Sequence, residues 1–155
     1  MATINATINL TSSDLTSSPL SLSKTMTMRK AGSCTGLELS SGLMTRKFTS
    51  TNQVNLISTG AQNYGTPTAT INANKLYIKN TGSSTTSYVT IGLGDASDSG
   101  TPTTDNVNGD SMTIGRLYGQ DWCVIPGHLA TDVGDVWIQP SSAEEATVEC
   151  ILFFQ

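Results

Sequence analysis

The chain is predicted to be all-β: an antiparallel β-sandwich or jelly roll led by an extended N-terminal strand and arm. Three observations predict this. Apolar residues alternate with polar ones at period two, and no ten-residue segment carries a helical apolar stripe. Turn residues break the sequence at short intervals, as in sandwiches and jelly rolls. The chain also holds 24 Thr and 19 Ser, and the branched Cβ of Thr suits a pleated surface.

Taken in order, the first element is the repeat Ala2-Thr3-Ile4-Asn5, Ala6-Thr7-Ile8-Asn9. It sets Ile4, Ile8 and Leu10 on one face and reads as one strand. The hydroxyl-rich stretch Thr11 to Pro19 reads as a loop. Leu20 to Lys30 alternates again, with Lys24 interrupting the apolar face, as on an edge strand where an inward charge blocks wrong pairing. Residues 31–50 carry Gly32, Gly36 and Gly42 with few large apolar residues, so they are expected to lie as an extended arm on whatever orders them. The domain division that follows is an N-terminal strand and arm over 1–50 and a β-sandwich over 51–155.

Val54 to Ile57 reads as a short strand and Gly60 to Pro67 as a turn region. Leu76 to Asn80 is a strand ended by the turn cluster Thr81-Gly82-Ser83-Ser84. Ser87 to Leu93 places Val89, Ile91 and Leu93 on one face, and Gly94 to Asp110 is a long polar loop. Met112 to Tyr118 and Trp122 to Ile125 are strands joined by Gly119-Gln120-Asp121, and Pro126-Gly127 ends the second. Val136 to Gln139 and Ala146 to Phe154 are the last two strands. Pro140 to Glu145 connects them, because proline does not continue a ladder. In the final strand Ala146, Val148, Cys150, Leu152 and Phe154 share one face, while Ile151 and Phe153 make the other face apolar too. A strand apolar on both faces needs cover on both sides: a partner sheet, and either the chain's own N-terminal half or another subunit.

Charge narrows the function classes. Charged residues make up 13% of the 155, against about 25% in typical soluble domains, and a hydroxyl-rich surface tolerates close contact with other protein. Residues 1–78 carry a net charge of +4 and residues 79–155 one of −8, an asymmetry that favours head-to-tail attraction between subunits or within one fold. The bases are too few and dispersed for nucleic acid. No apolar run approaches the ~20 residues of a membrane span, and no signal segment opens the sequence. Cys34, Cys123 and Cys150 match no metal-site spacing. Cys123 and Cys150 stand in apolar strands and read as buried thiols, which points to assembly in a reducing cytoplasm. Asn5-Ala6-Thr7 and Asn9-Leu10-Thr11 match the glycan acceptor pattern by coincidence.

No residue reads as catalytic, cofactor-binding or metal-ligating, and an enzyme is not expected. The loop residues Asp95, Asp98, Asp105, Asn106, Asn108 and Asp110 offer oxygens for Ca²⁺ but lack the ordered spacing and closing Glu, so they read as a solvated acidic loop. His128, the single histidine, lacks both an elbow nucleophile and further zinc ligands. Adjacent Glu144 and Glu145 do not flank a substrate from two sides. Gly92 and Gly94 lack the third glycine of a phosphate cradle. Trp122, Trp137, Tyr77, Tyr88 and Tyr118 are the residues of a sugar-stacking platform, though core packing or a subunit contact is the simpler use of them.

Two stretches resemble a known group. Lys75-Leu76-Tyr77-Ile78-Lys79-Asn80 with its Ser/Thr turn is similar to the opening of a β-sandwich in small virion proteins of tailed bacteriophages, particularly those of marine and cyanobacterial hosts. Ile114-Gly115-Arg116-Leu117-Tyr118-Gly119-Gln120-Asp121-Trp122 and then Val136 to Phe154 resemble its later strands. The resemblance covers about half the chain, and the Asp95–Asp110 loop departs from it. It implies a virion structural protein without cofactor, assembled in the host cytoplasm. The form it favours is a capsid decoration (cement) protein that binds the major capsid protein and self-associates, trimers being common in such proteins. The alternatives are a head–tail connector, a tail or fibre component, or a carbohydrate- or receptor-binding module.

Overall fold

The computed structural model describes residues 4–14, 19–29, 39–57, 73–94, 112–126, 136–142 and 146–154. Strands, and no helix, make up the regular structure of these residues. In chain order they are β1 (Asn5–Ser12), β2 (Leu20–Thr27), β3 (Leu39–Ser40), β4 (Met44–Phe48), β5 (Val54–Ile57) and β6 (Ala73–Asn80). Then come β7 (Tyr88–Leu93), β8 (Met112–Tyr118), β9 (Trp122–Pro126), β10 (Val136–Pro140) and β11 (Ala146–Phe154). All pairings are antiparallel and fall into three groups: the β1–β2 hairpin, a four-stranded sheet in the order β5-β10-β7-β8, and a five-stranded sheet in which β3 and β4 flank one edge of β11 and β6 and β9 follow on the other.

The alternation read from the sequence sets the core. Leu76, Ile78, Val148, Cys150 and Leu152 of the five-stranded sheet join Val89, Ile91, Leu117, Val136 and Ile138 of the four-stranded sheet in one buried cluster. Each such side chain contributes about 1.5–3 kcal/mol when withdrawn from water. The last two strands, neighbours in sequence, lie in different sheets: β10 is central in one and β11 central in the other.

Hydrogen bonds tie the two sheets together on both flanks. On one, the side chain of Asn80, nearly fully buried at the end of β6, donates from Nδ2 to the Leu117 carbonyl of β8 (3.0 Å) and accepts from the Gly82 N–H (3.0 Å). The turn between β8 and β9 docks on the same strand end: Gln120 N–H donates to the Asn80 carbonyl, and Asn80 N–H to the Asp121 carbonyl. Gln120 holds φ at 70°, a conformation costly for a residue with a Cβ. Its Nε2 donates to the Thr81 and Gly82 carbonyls in return. On the other flank Arg46 of β4 donates to the Leu56 carbonyl of edge strand β5 at 2.6 Å.

Two expectations are corrected. Residues 39–48 are not an arm: β4 pairs Met44–Phe48 with Cys150–Ala146, β3 pairs with Phe153 and Phe154, and Phe48 is buried in the core. Between them Ser41 keeps the ladder to β11 by donating its N–H to the Leu152 carbonyl and accepting the Leu152 N–H on Oγ, while Gly42 takes a positive φ of 73°. Pro140 belongs to β10 rather than to the connection. It pairs in register with Val89 of β7, beyond the last residue of β10 that pairs with β5, and strand ends tolerate a residue with no N–H.

The second apolar face of β11 is covered by the chain's own N-terminal strands. Phe153 and Met28 form the buried centre of a separate cluster, with Ile4, Ala6, Tyr77, Val124 and Ile151 against it. The base of the hairpin therefore sits on the outer face of the five-stranded sheet, closed by the Met28 N–H to Ile4 carbonyl bond at 2.9 Å.

Candidate functional site

The feature that packing leaves unfinished is the β1–β2 hairpin. Its register pairs Asn5 with Thr27, Thr7 with Thr25 and Asn9 with Ser23 on one face. That face is a closed polar ladder: Thr27 donates to Asn5 Oδ1 (2.9 Å), Ser23 to Asn9 Oδ1 (2.6 Å), and the Thr7 and Thr25 hydroxyls meet at 2.9 Å. Both asparagines of the glycan-acceptor matches are thus engaged across the hairpin. The opposite face pairs Ala6 with Met26, Ile8 with Lys24, Leu10 with Leu22 and Ser12 with Leu20. It begins against the sheet at Ile4, Ala6 and Met28 and then runs outward, where Ile8, Leu10, Leu20, Leu22 and Met26 stand 38–49% exposed. Two strands alone are marginal in water, and an apolar stripe on such a ribbon marks an interaction surface.

The aromatic residues do not converge on one platform. Trp137 is fully buried, its ring lying over Gly92 and its Nε1–H donating to the Leu93 carbonyl at 3.2 Å. Trp122 is 48% exposed and lies 6.2 Å from Tyr77 on the five-stranded sheet. Tyr88 and Tyr118 meet edge-on at 5.3 Å on the four-stranded sheet, with the Arg116 guanidinium 4.4 Å above the Tyr88 ring. The pairs stack among themselves on separate sheets.

A cleft of about 260 Å³ opens where the sheets end, lined by Asn80, Gly82, Ser84, Tyr88, Gly119 and Ser141 among others. Its hydroxyls serve the turns around it: Ser84 Oγ accepts the Thr86 and Ser87 N–H groups, and Ser141 Oγ accepts the Tyr88 N–H. Among the described residues, its lining carries no charged side chain and no nucleophile–base pair.

Cys150 is a buried free thiol and Cys123 a half-buried one, on strands flanking β6 at the level of Ile78. Burial pushes both thiols up from their ordinary pKa, with the Arg46 charge pulling Cys150 back in part. Two strand spacings of ~4.8 Å separate them, too far for a disulfide. Among the described residues, no three His, Cys, Asp or Glu side chains gather as metal ligands. No described helix is long and apolar enough to cross a membrane, which says nothing of a β-barrel. Cys34, the Asp95–Asp110 loop, His128, Glu144 and Glu145 lie outside the described residues.

The sequence did not single out Asn80 or Arg46, and it weighed Gly92 only for a phosphate cradle. Only Asn80 carried a local signal, the Asn-x-Gly spacing of a side-chain-closed turn. No family model, no curated protein and no solved structure matches this chain.

Proposed function

We propose that the chain is a virion structural subunit, a capsid decoration protein that binds the major capsid shell of a tailed bacteriophage and stabilises it. In this reading the two larger sheets are the layers of a β-sandwich body, and the hairpin is the element that engages neighbouring subunits. One observation carries it: the apolar face of the hairpin projects beyond the sheet that its base packs on. Many modest contacts of this kind, repeated around a shell, resist dissociation together. The family resemblance supplies the virion setting.

The test is stoichiometry and occupancy. Mass spectrometry of purified particles should find hundreds of copies. A dozen or fewer would move the protein to the connector, tail or fibre. Removing residues 1–50 would take β3 and β4 from the sheet, so the informative variants keep the fold: Leu10→Glu and Leu22→Glu on the exposed stripe. Full shell occupancy by that double variant would refute the role of the hairpin.

A further inference from the structure

We infer that the hairpin's apolar face docks on the same face of a second copy, as a two-fold stack of hairpins running tip to base. This deepens the self-association in the reading above and needs no particle.

The occupant follows from shape and charge. An eight-residue, two-stranded ribbon presents a face of roughly 27 by 10 Å, and stacked β-ribbons pack about 10 Å apart. A second copy matches that face in width and twist, and a two-fold contact uses one patch on both partners. The polar ladder on the opposite face needs no cover, so one partner completes the ribbon.

Charge sets the register. Lys24 interrupts the apolar stripe beside Ile8, and Asp14 stands at the tip, its carboxylate accepting from Ser12 Oγ at 3.1 Å. Both are exposed. Successive rows along the face are separated by two residues, about 6.7 Å. With the two-fold axis between the Leu10–Leu22 and Ser12–Leu20 rows, Lys24 of each copy comes opposite Asp14 of the other. The same register places Leu10, Leu20 and Leu22 of both copies at the centre of the contact. A parallel stack would instead put the two Lys24 side chains together inside the apolar contact.

The two faces cover far less than the ~1,200 Å² of a stable standard interface, so the contact is weak and reversible. Sedimentation velocity of the full chain from about ten to several hundred micromolar should show a monomer–dimer shift. Lys24→Glu or Asp14→Lys alone should weaken association about tenfold, and the two together should restore it to within about threefold. Leu22→Ser should weaken it as well, with the far-ultraviolet circular dichroism unchanged in every variant. A wild-type chain that stays monomeric throughout, or charge reversals that neither weaken nor rescue, would overturn the inference. A monomer that still binds shells would leave the virion reading standing without it, and a dimer that binds none would do the reverse.

Discussion

Gly92→Ala is expected to destabilise the protein well beyond an ordinary glycine substitution. Gly92 of β7 pairs in register with Trp137 of β10. A Cβ built there would lie 2.0 Å from Trp137 Cζ2, 2.2 Å from Cε2 and 2.5 Å from the Met112 carbonyl oxygen. The ring cannot yield freely, because it is fully buried and its Nε1–H is bonded to the Leu93 carbonyl. The carbonyl cannot yield without opening the β7–β8 ladder, which already shifts register at Ile91/Gly92. Overpacking of this kind costs about 1–3 kcal/mol, and losing the indole bond adds about 1 kcal/mol. Relief of glycine's backbone entropy returns only about 0.5–1 kcal/mol. The net loss is about 1–3.5 kcal/mol, a fall in Tm of roughly 2–14 °C for a chain of this size. Urea unfolding in a Trp122→Phe background measures the loss and reads the Trp137 emission alone. Adding Trp137→Leu should make the effect of Gly92→Ala much smaller, since the two share one contact. Stability within about 0.5 kcal/mol of the parent, with unchanged emission, would refute the reasoning.

Other outcomes follow from the contacts between the sheets. Asn80→Ala should cost about 1–3 kcal/mol in urea unfolding, because the Leu117 carbonyl and Gly82 N–H both lose their partner. Gln120→Gly should lie within about 1 kcal/mol of wild type, relief of the left-handed backbone offsetting two lost side-chain bonds, whereas Gln120→Val loses the bonds and keeps the strain. The thiols give a pH dependence of known sign. Their folded pKa values are raised, so above about pH 8.5 the unfolded chain gives up protons first and stability falls. The contribution is fully present below that pH and is lost as pH rises through the folded values. The urea midpoint should therefore drop between about pH 8 and 10, and the Cys123→Ala/Cys150→Ala protein should show a flatter profile.

Where one face was buried, the sequence was readable, because period two leaves a single solution for which side turns inward. Val148, Cys150 and Leu152 went inward as their spacing required, and Val89 and Ile91 did the same. The second apolar face of β11 correctly announced a second cover, and Ile4, Ala6 and Met28 supply it in part. The edge of the sheet was not readable. Met44-Thr45-Arg46-Lys47-Phe48 looks like a polar arm because Arg46, on the inward side of an edge strand, spends its charge on the Leu56 carbonyl across the gap. A single chain of letters carries no sign that an edge charge has such a partner. Asn80 was hidden for the same reason, since its worth depends on a carbonyl 37 residues away.

The hairpin joins these two lessons. Its alternation is as regular as that of β11, yet among the described residues only its base finds a partner in the body. The rule that a regular apolar face implies a cover holds for the faces of the two larger sheets that meet in the core, and it held for β11, whose cover at Met28 lies far upstream in the sequence. Applied to Ile8, Leu10, Leu20 and Leu22, the same rule asks for a cover, and the second copy proposed above would supply it. A ribbon whose other face is a finished hydrogen-bonded ladder would otherwise hold these four large apolar side chains in water on a two-stranded element that is marginal by itself. Hydrogen exchange separates the alternatives. Amides of β1 and β2 should exchange far faster than those of β6 and β11 in dilute protein and slow as concentration rises. Concentration-independent protection equal to that of β11 would mean the hairpin is stable alone, and the case for a partner would fail.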